Sequence, residues 1–367
     1  MAFLTGIGLA TPPHSISRQS GAAMAKTLSC VEPDQHRTID ALYRRTRIDS
    51  RGSVLFGDQG NPEELREFYP PITAAGDGPT TECRSNRYAA EAPQLASSAA
   101  AEALDRAGCR GRQVTHLVVV SCTGFSAPGV DVALIKRLGL PRTTQRIVVG
   151  FMGCHAAVNG LRAATAIADS DASAVVLVVS VELCSLHYQY GFDPDRIVSG
   201  ALFADGAAGV VVRGDRDAGS GDPAMRWIGS GSCLIDDSES EMTWRICNHG
   251  YEMTLSSRVP TLIEEQLPTY LSEFLGRHKL TPADIGGWAV HPGGPRILSA
   301  VQTCMNLSDD QLATSHEVLK NHGNMSSATM LFIVEKFWQR GQAGPWLMLG
   351  FGPGLEIEVG LIGVDGR

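Results

Sequence analysis

The segment Val148-Val-Gly-Phe-Met-Gly-Cys154-His-Ala-Ala-Val-Asn-Gly160 sets a thiol where an apolar run gives way to small residues with helical periodicity. A thiolate attacks acyl carbonyls. The free N–H groups and dipole at a helix start favour that ionised form and can hold an oxyanion. The same spot also suits a small buried side chain, since free cysteine is among the most buried residue types. Place alone leaves both readings open for Cys154. A nucleophilic thiol needs a base. Among the ten histidines, His291 is best placed, because the apolar run Gly287-Trp-Ala-Val290 ends directly in His291-Pro-Gly-Gly-Pro295. The C-terminal ends of strands, followed by loops, are where α/β sheets put their sites. A loop histidine held by local hydrogen bonds fits that place as well. His322 precedes the Gly323 turn, and His155 shares the Cys154 helix without having to face the same side. Asn324 suits a helix N-cap. An amide there could also donate to a developing oxyanion. Finally, Leu349-Gly-Phe-Gly-Pro-Gly354 reads either as a plain hairpin or as a turn that lets backbone and substrate approach closely. It lacks the lysine and following helix of a phosphate loop.

These residues need elements to position them. Apolar runs at 115–121, 145–150, 174–180 and 207–212 read as strands covered on both faces. Helical patterns lie between them at 87–108, 131–140 and 156–169, and strand alternating with helix predicts an α/β protein. The polar stretch 214–224 divides the chain into 1–213 and 225–367. The second part repeats this alternation, with helix 261–278, strand 286–290, helices 294–305 and 326–340, then strands 346–351 and 355–361. Small-residue helices open at both Gly153-Cys154 and Gly323-Asn324. This suggests a duplication, with two helix starts facing each other across a pseudo-dyad. Residues 34–69 read as helices and loops over that body, and 70–81 as a loop.

Composition narrows the classes. The 367 residues are 43% hydrophobic and 19% charged, with net charge −8 and no basic stripe, which argues against a nucleic-acid partner. The opening Met-Ala-Phe-Leu-Thr-Gly-Ile-Gly reads as a first strand rather than a signal peptide. No apolar run is long enough to span a membrane. Nine scattered cysteines without a CxxC pair predict a reducing, cytoplasmic compartment and neither a disulfide framework nor a structural zinc.

Taken together, Gly153-Cys154, Leu202-Phe-Ala-Asp-Gly-Ala207, His291-Pro-Gly-Gly-Pro295, Gly323-Asn-Met-Ser-Ser-Ala328 and Gly350-Phe-Gly-Pro-Gly354 resemble the type III polyketide synthases, the chalcone and stilbene synthase superfamily. The likeness runs from about Pro12 to Gly363. It implies a thiolase-like fold of two similar αβαβα halves in five layers, a homodimer, and a Cys-His-Asn triad. Cys154 would take a starter acyl group from CoA, His291 would hold it as thiolate, and His291 with Asn324 would bind the thioester oxygen during decarboxylation of malonyl-CoA. CoA thioesters are then substrates, and no metal or redox cofactor is required.

The resemblance also implies a cavity. Phe203 matches a gatekeeper, and Met253 replaces the second gatekeeper phenylalanine. Cys122, Cys184 and His187 stand where plant enzymes often carry threonine, Ala127 where they lend a methionine across the dimer, and His155 where they have phenylalanine. Gly352 and Pro353 would approach the substrate. Met242-Thr-Trp244-Arg is similar to bacterial alkylpyrone and alkylresorcinol synthases, which use fatty acyl-CoA starters. The extra cysteines also resemble malonyl-only synthases giving tetrahydroxynaphthalene- or phloroglucinol-type products. Arg44, Arg45 and Arg296 are candidates for CoA phosphates, and equally for a solvated basic face. A β-ketoacyl-ACP synthase III-like enzyme, with a carrier partner and one condensation, is a competing reading. So is a non-catalytic scaffold of the same fold.

Overall fold

The computed structural model describes residues 1–29, 32–56, 62–72, 78–214 and 224–365. The first half runs β1 (Phe3–Ala10), β2 (Ser15–Ser17), α1 (Arg18–Ser29), α2 (Gln35–Arg45), β3 (Ser50–Gly52), α3 (Pro62–Phe68), α4 (Thr81–Arg106), β4 (His116–Ser121), α5 (Val130–Arg137), β5 (Gln145–Gly150), α6 (Ala156–Ser170), β6 (Val175–Leu183), α7 (Pro194–Leu202) and β7 (Asp205–Arg213). The second runs β8 (Ala224–Leu234), β9 (Met242–Cys247), β10 (Gly250–Leu255), α8 (Val259–Arg277), β11 (Gly287–Val290), α9 (Pro295–Met305), α10 (Asp309–His322), α11 (Thr329–Arg340), β12 (Trp346–Gly352) and β13 (Glu356–Asp365). Within the polar break at 214–224, residues 215–223 lie outside the described residues, as do Cys30 and parts of the two segments 34–69 and 70–81.

The alternation expected from the sequence is present, with differences at the edges. Helix α4 starts six residues before the expected Arg87, because Thr80 caps it by accepting from the Cys83 N–H at 3.2 Å. Helix α7 was not anticipated, although Asp193 caps it and Pro194 opens it. Helix α10 was likewise missed, although Ser308 and Gln311 form a reciprocal capping box.

One large sheet organises the molecule, in the order β11-β12-β13-β8-β1-β7-β6-β4-β5. Outward from β1 the pairings run antiparallel to β7, antiparallel to β6 and parallel to β4. Outward from β8 they run antiparallel to β13, antiparallel to β12 and parallel to β11. The two sets meet through the short β1–β8 pairing of Phe3 with Arg226 and Leu4 with Met225. In this repeated order Cys122 follows β4 as His291 follows β11. A 3-10 turn opens both α6 (Gly153–His155) and α11 (Ser326–Ala328). α6 and α11 pack on one face of the sheet in a shared core that includes Val118, Ala157, Met330 and Trp346. The sequence reading of β5 as a central strand is corrected. It is one of the two edge strands, and its apolar Ile147 and Val148 are exposed, at 39% and 56%.

The two halves approach closely at Gly153. Its φ is +78°, and a Cβ built there would lie 2.3 Å from Pro353 Cδ in the β12–β13 turn. A proline ring has no rotamer by which to withdraw. Gly153→Ala is therefore expected to cost roughly 1–3 kcal/mol from backbone strain and displaced packing. Urea unfolding measures this; a wild-type midpoint would contradict the packing account.

Candidate active site

Three turns bring the expected trio together at one cavity. Cys154 sits in the turn before α6, in a chamber it shares with His291 and Asn324. His291 is held where β11 ends, its N–H donating to Leu349 O at 2.7 Å. Asn324 follows Gly323, whose φ is +74°. Its backbone is stitched to the α7–β7 link: Asn324 N–H donates to Leu202 O, and Ala204 N–H donates to Asn324 O, both at 2.9 Å. The Ser326 N–H donates to Asn324 Oδ1 at 2.9 Å. The amide nitrogen Nδ2 is thereby turned toward Cys154 Sγ, 4.0 Å away. Among the described residues neither ring nitrogen of His291 has a hydrogen-bond partner, although the residue is only 1% exposed. A buried, unsatisfied imidazole costs stability and marks a place where a ligand's polar atom completes the site.

The electrostatics correct the expectation that the helix start by itself favours a thiolate. Burial pushes the Cys154 thiol up to about 12; hydrogen bonding with Ser326 and Asn324 opposes this, and the Glu182 charge adds to it. Burial pushes His291 down to about 3, with a further push from His155. A water-poor chamber penalises any single charge more than the 3-10 turn and helix end reward it. A proton passed from Cys154 to His291 makes two opposite charges in one place, where each offsets the other's desolvation.

The cavity around this trio has a volume of about 280 Å³, and its walls include Leu42, Val198, Met242, Leu255, Val259 and Phe351. Phe203, Met253 and Ser199 line both this chamber and a narrower one of about 50 Å³, so they form the partition between the two. The β9–β10 register pairs Met253 with Trp244, which explains why both reach the inner chamber. Cys184 and His187 line that inner chamber too. His187 is locked: its Nδ1 accepts the Tyr251 N–H at 3.0 Å, so Nε2 carries the proton given to Thr123 O at 2.7 Å. Burial holds it neutral, with its value down to about 3.

Other candidates stand elsewhere. Cys122 lines neither chamber; its Sγ accepts the Gly153 N–H at 3.1 Å and so supports the Cys154 turn from below. Gly352 and Pro353 also line neither, because they are packed against His155 and Gly153. The β12–β13 turn is thus both a hairpin and a close backbone approach, but toward the turn that carries Cys154. Arg45 and Arg296 line the larger cavity, whereas exposed Arg44 lies outside its lining.

Three residues beside the site escaped the sequence reading. Glu182 is fully buried and accepts from Cys122 N–H at 2.9 Å, Thr123 Oγ1 at 2.8 Å and Ser327 Oγ. Burial raises its carboxyl to about 7. The signal was an acid inside the mostly apolar run 175–183. Ser326 bonds to the thiol and carried no signal beyond its neighbour Asn324. Arg51 is buried and donates to Gly200 O and, at 3.1 Å, to Phe203 O, so it caps α7 and holds the partition. The arginine looked like one of many surface charges.

Comparison with known proteins matches this geometry to a family. Residues 1–216 match the profile of the chalcone and stilbene synthases, N-terminal domain, and residues 229–364 match the corresponding C-terminal domain. The chain is similar to the alpha-pyrone synthesis polyketide synthase-like Pks18 of Mycobacterium tuberculosis, 32% identical over 98% of this chain and 90% of that protein. Among solved structures it is similar to PKS-I of the brown alga Ectocarpus siliculosus, with TM-score 0.89, 29% identity, and 98% and 97% of the two chains covered. The C-terminal type III polyketide synthase domain of Steely1 from Dictyostelium gives TM-score 0.88 and 25% identity over 99% of each chain. The neighbours share the thiolase-like fold expected from the sequence. The chain belongs to the chalcone and stilbene synthase family and is a type III polyketide synthase.

Proposed function

We propose that this synthase extends a fatty acyl-CoA starter with malonyl-CoA and cyclises the product to an alkylpyrone or alkylresorcinol. The observation that carries the reading is the buried His291 ring, unsatisfied at both nitrogens, at one cavity with Cys154 and with Asn324 Nδ2 turned toward the thiol. The division into halves 1–213 and 225–367 belongs to the same reading: the first supplies the thiol, the second the imidazole and amide.

The steps follow from the site. Cys154 attacks the starter thioester carbonyl as its proton passes to His291. The C–S bond to CoA breaks, and CoA leaves as the thiol with that proton. Malonyl-CoA then binds with its thioester oxygen between Asn324 Nδ2 and a protonated ring nitrogen of neutral His291. The C–C bond to the carboxylate breaks, CO2 departs, and its electron pair becomes the enolate held by those two donors. The enolate carbon attacks the acyl-cysteine carbonyl and Cys154 leaves as thiolate. Arg45 and Arg296 at the cavity wall suit the CoA phosphates. The apolar walls suit an alkyl chain, which would pass Phe203 and Met253 toward Leu55, Phe56 and Leu65. The polar part of the inner chamber, Ser185, Gln189 and Ser199 with Cys184, favours a second starter, malonyl-CoA itself.

CoA thioesters are the substrates and no further cofactor enters these steps. Among the described residues no helix is long and apolar enough to cross a membrane. A second copy of the chain is the proposed partner, covering the exposed edge β5 with its apolar Ile147 and Val148. Sedimentation is expected to give a dimer, and Val148→Lys a monomer; a wild-type monomer would oppose this.

The deciding experiment incubates the enzyme with a panel of acyl-CoA starters and malonyl-CoA, without carrier protein, and reads products by mass spectrometry. Alkylpyrones or alkylresorcinols from fatty starters are expected. Cys154→Ala is expected to form neither product nor acyl-enzyme. His291→Ala and Asn324→Ala should lower malonyl-CoA decarboxylation by about 10²–10³-fold, the usual loss for an oxyanion donor. A single condensation that requires an acyl carrier protein would overturn the reading, and acyl loading that survives Cys154→Ala would overturn the role of the thiol.

A further inference from the structure

His155 immediately follows Cys154 and lines neither cavity, yet its ring is only 1% exposed. Its surroundings fix where its protons are. One turn along α6, Asn159 donates from Nδ2 to Glu358 Oε1 at 2.9 Å. The amide oxygen of Asn159 is therefore the atom facing His155 Nδ1, also at 2.9 Å. An oxygen can only accept, so Nδ1 carries a proton. In a neutral imidazole Nε2 is then a bare acceptor. It is buried without a hydrogen-bond partner among the described residues, and it faces Glu356 Oε2 at 3.4 Å. An acceptor turned to a carboxylate inside the protein is unfavourable unless a proton lies between them.

The neighbours say which carboxylate takes part. Glu358 is already engaged by Arg162, by Ser232 Oγ at 2.6 Å and by Asn159. Arg162 balances its charge, so Glu356 is left without a full countercharge except through His155. Burial raises the Glu356 carboxyl, against the pull of His155. The titratable or charged groups around the ring are Cys154 in its own turn, Arg162 on α6, Glu356 and Glu358 on β13, and His291 beyond β11. From β12, Gly350 presses on His155 Cβ and Gly352 on the ring, with no room for a Cβ at either: one built at Gly352 would lie 2.2 Å from His155 Cδ2. The ring is thus the joint between the turn that carries Cys154 and the β12–β13 turn.

We propose that His155 and Glu356 hold one shared proton, and that this pair is a positioning device that fixes the Cys154 turn against β13. The inference rests on the reading of Cys154 as nucleophile. When the shared proton leaves, two acceptors oppose each other across the joint and the turn loosens. The pair acts through Cys154 and touches no substrate.

The test measures Cys154 acylation by intact mass, and kcat and KM, across neutral to alkaline pH for wild type, Glu356→Gln, Glu356→Ala and His155→Phe. A glutamine amide donates to Nε2 as the shared proton does, but it does not titrate. Glu356→Ala and His155→Phe are expected to slow acylation about tenfold at neutral pH with acyl-CoA KM within about twofold. Glu356→Gln should restore the neutral rate to within about threefold and move the alkaline loss of acylation up by about one pH unit or more. An unchanged alkaline limb in Glu356→Gln, or a rate as low as that of Glu356→Ala, overturns the proposal. Thermal melting separates these effects from unfolding; Glu356→Gln is the safe variant, since that side chain is partly exposed. Loss of wild-type activity on dialysis against a chelator, restored by Zn²⁺, would also overturn it, because a cation would then occupy the proton's place. Failure of Cys154→Ala to abolish acylation would instead strike the nucleophile assignment itself, so the two failures are distinguishable.

Discussion

Glycine backbone packed directly against neighbouring side chains, with no room for a Cβ, is the constraint on which this site depends. Gly153 lies against Pro353, Gly350 and Gly352 lie against His155, and Gly323 lies against Arg51 and Ala204. These contacts let three separate turns converge on one chamber. Two of them use a positive φ that glycine adopts at little cost, at Gly153 and Gly323. The residues that follow these glycines, Cys154 and Asn324, are two of the three proposed to carry the chemistry. Cys122 completes the arrangement by accepting the Gly153 N–H, so a thiol from the end of β4 supports the turn of another thiol.

Convergence brings burial, and burial sets the electrostatics. The thiol, the imidazole and the Glu182 carboxyl are each pushed toward their neutral forms. In such a chamber charges are favourable only in pairs, which makes the proposed nucleophile a property of Cys154 and His291 together. It also explains the empty hydrogen-bonding capacity of His291, which a thioester oxygen would complete. Phe203 and Met253 divide the space beyond, and Arg51 anchors that partition from the protein side.

Much of this was legible in the sequence because it lies in local chemistry. The strands at 116–121, 145–150, 175–183 and 205–213 declare themselves by the apolar runs within them, and the trio by residue types at strand and helix ends. What escaped depends on distant contacts. Apolar runs do not distinguish a central strand from an edge awaiting a partner, so β5 was misplaced. Helix α7 spans only nine residues and α10 has weak apolar periodicity, and the caps are the clearest sign of each. Cys122, Gly352 and Pro353 occur in the right segments, yet their side chains or backbones face the Cys154 turn and not the cavity, which no spacing rule reveals. The role of Glu182 required knowing that β4, β6 and the turn before α11 meet around one carboxylate.

The central claim is that Cys154 becomes a thiolate through His291, not through the helix end. The pH dependence of iodoacetamide alkylation at Cys154, followed by peptide mass in wild type and in His291→Gln, tests it most directly. The account predicts alkylation of wild type near neutral pH or below, and a shift of about two pH units or more upward in the variant, toward the value burial alone imposes. Superimposable profiles in the two proteins would contradict it.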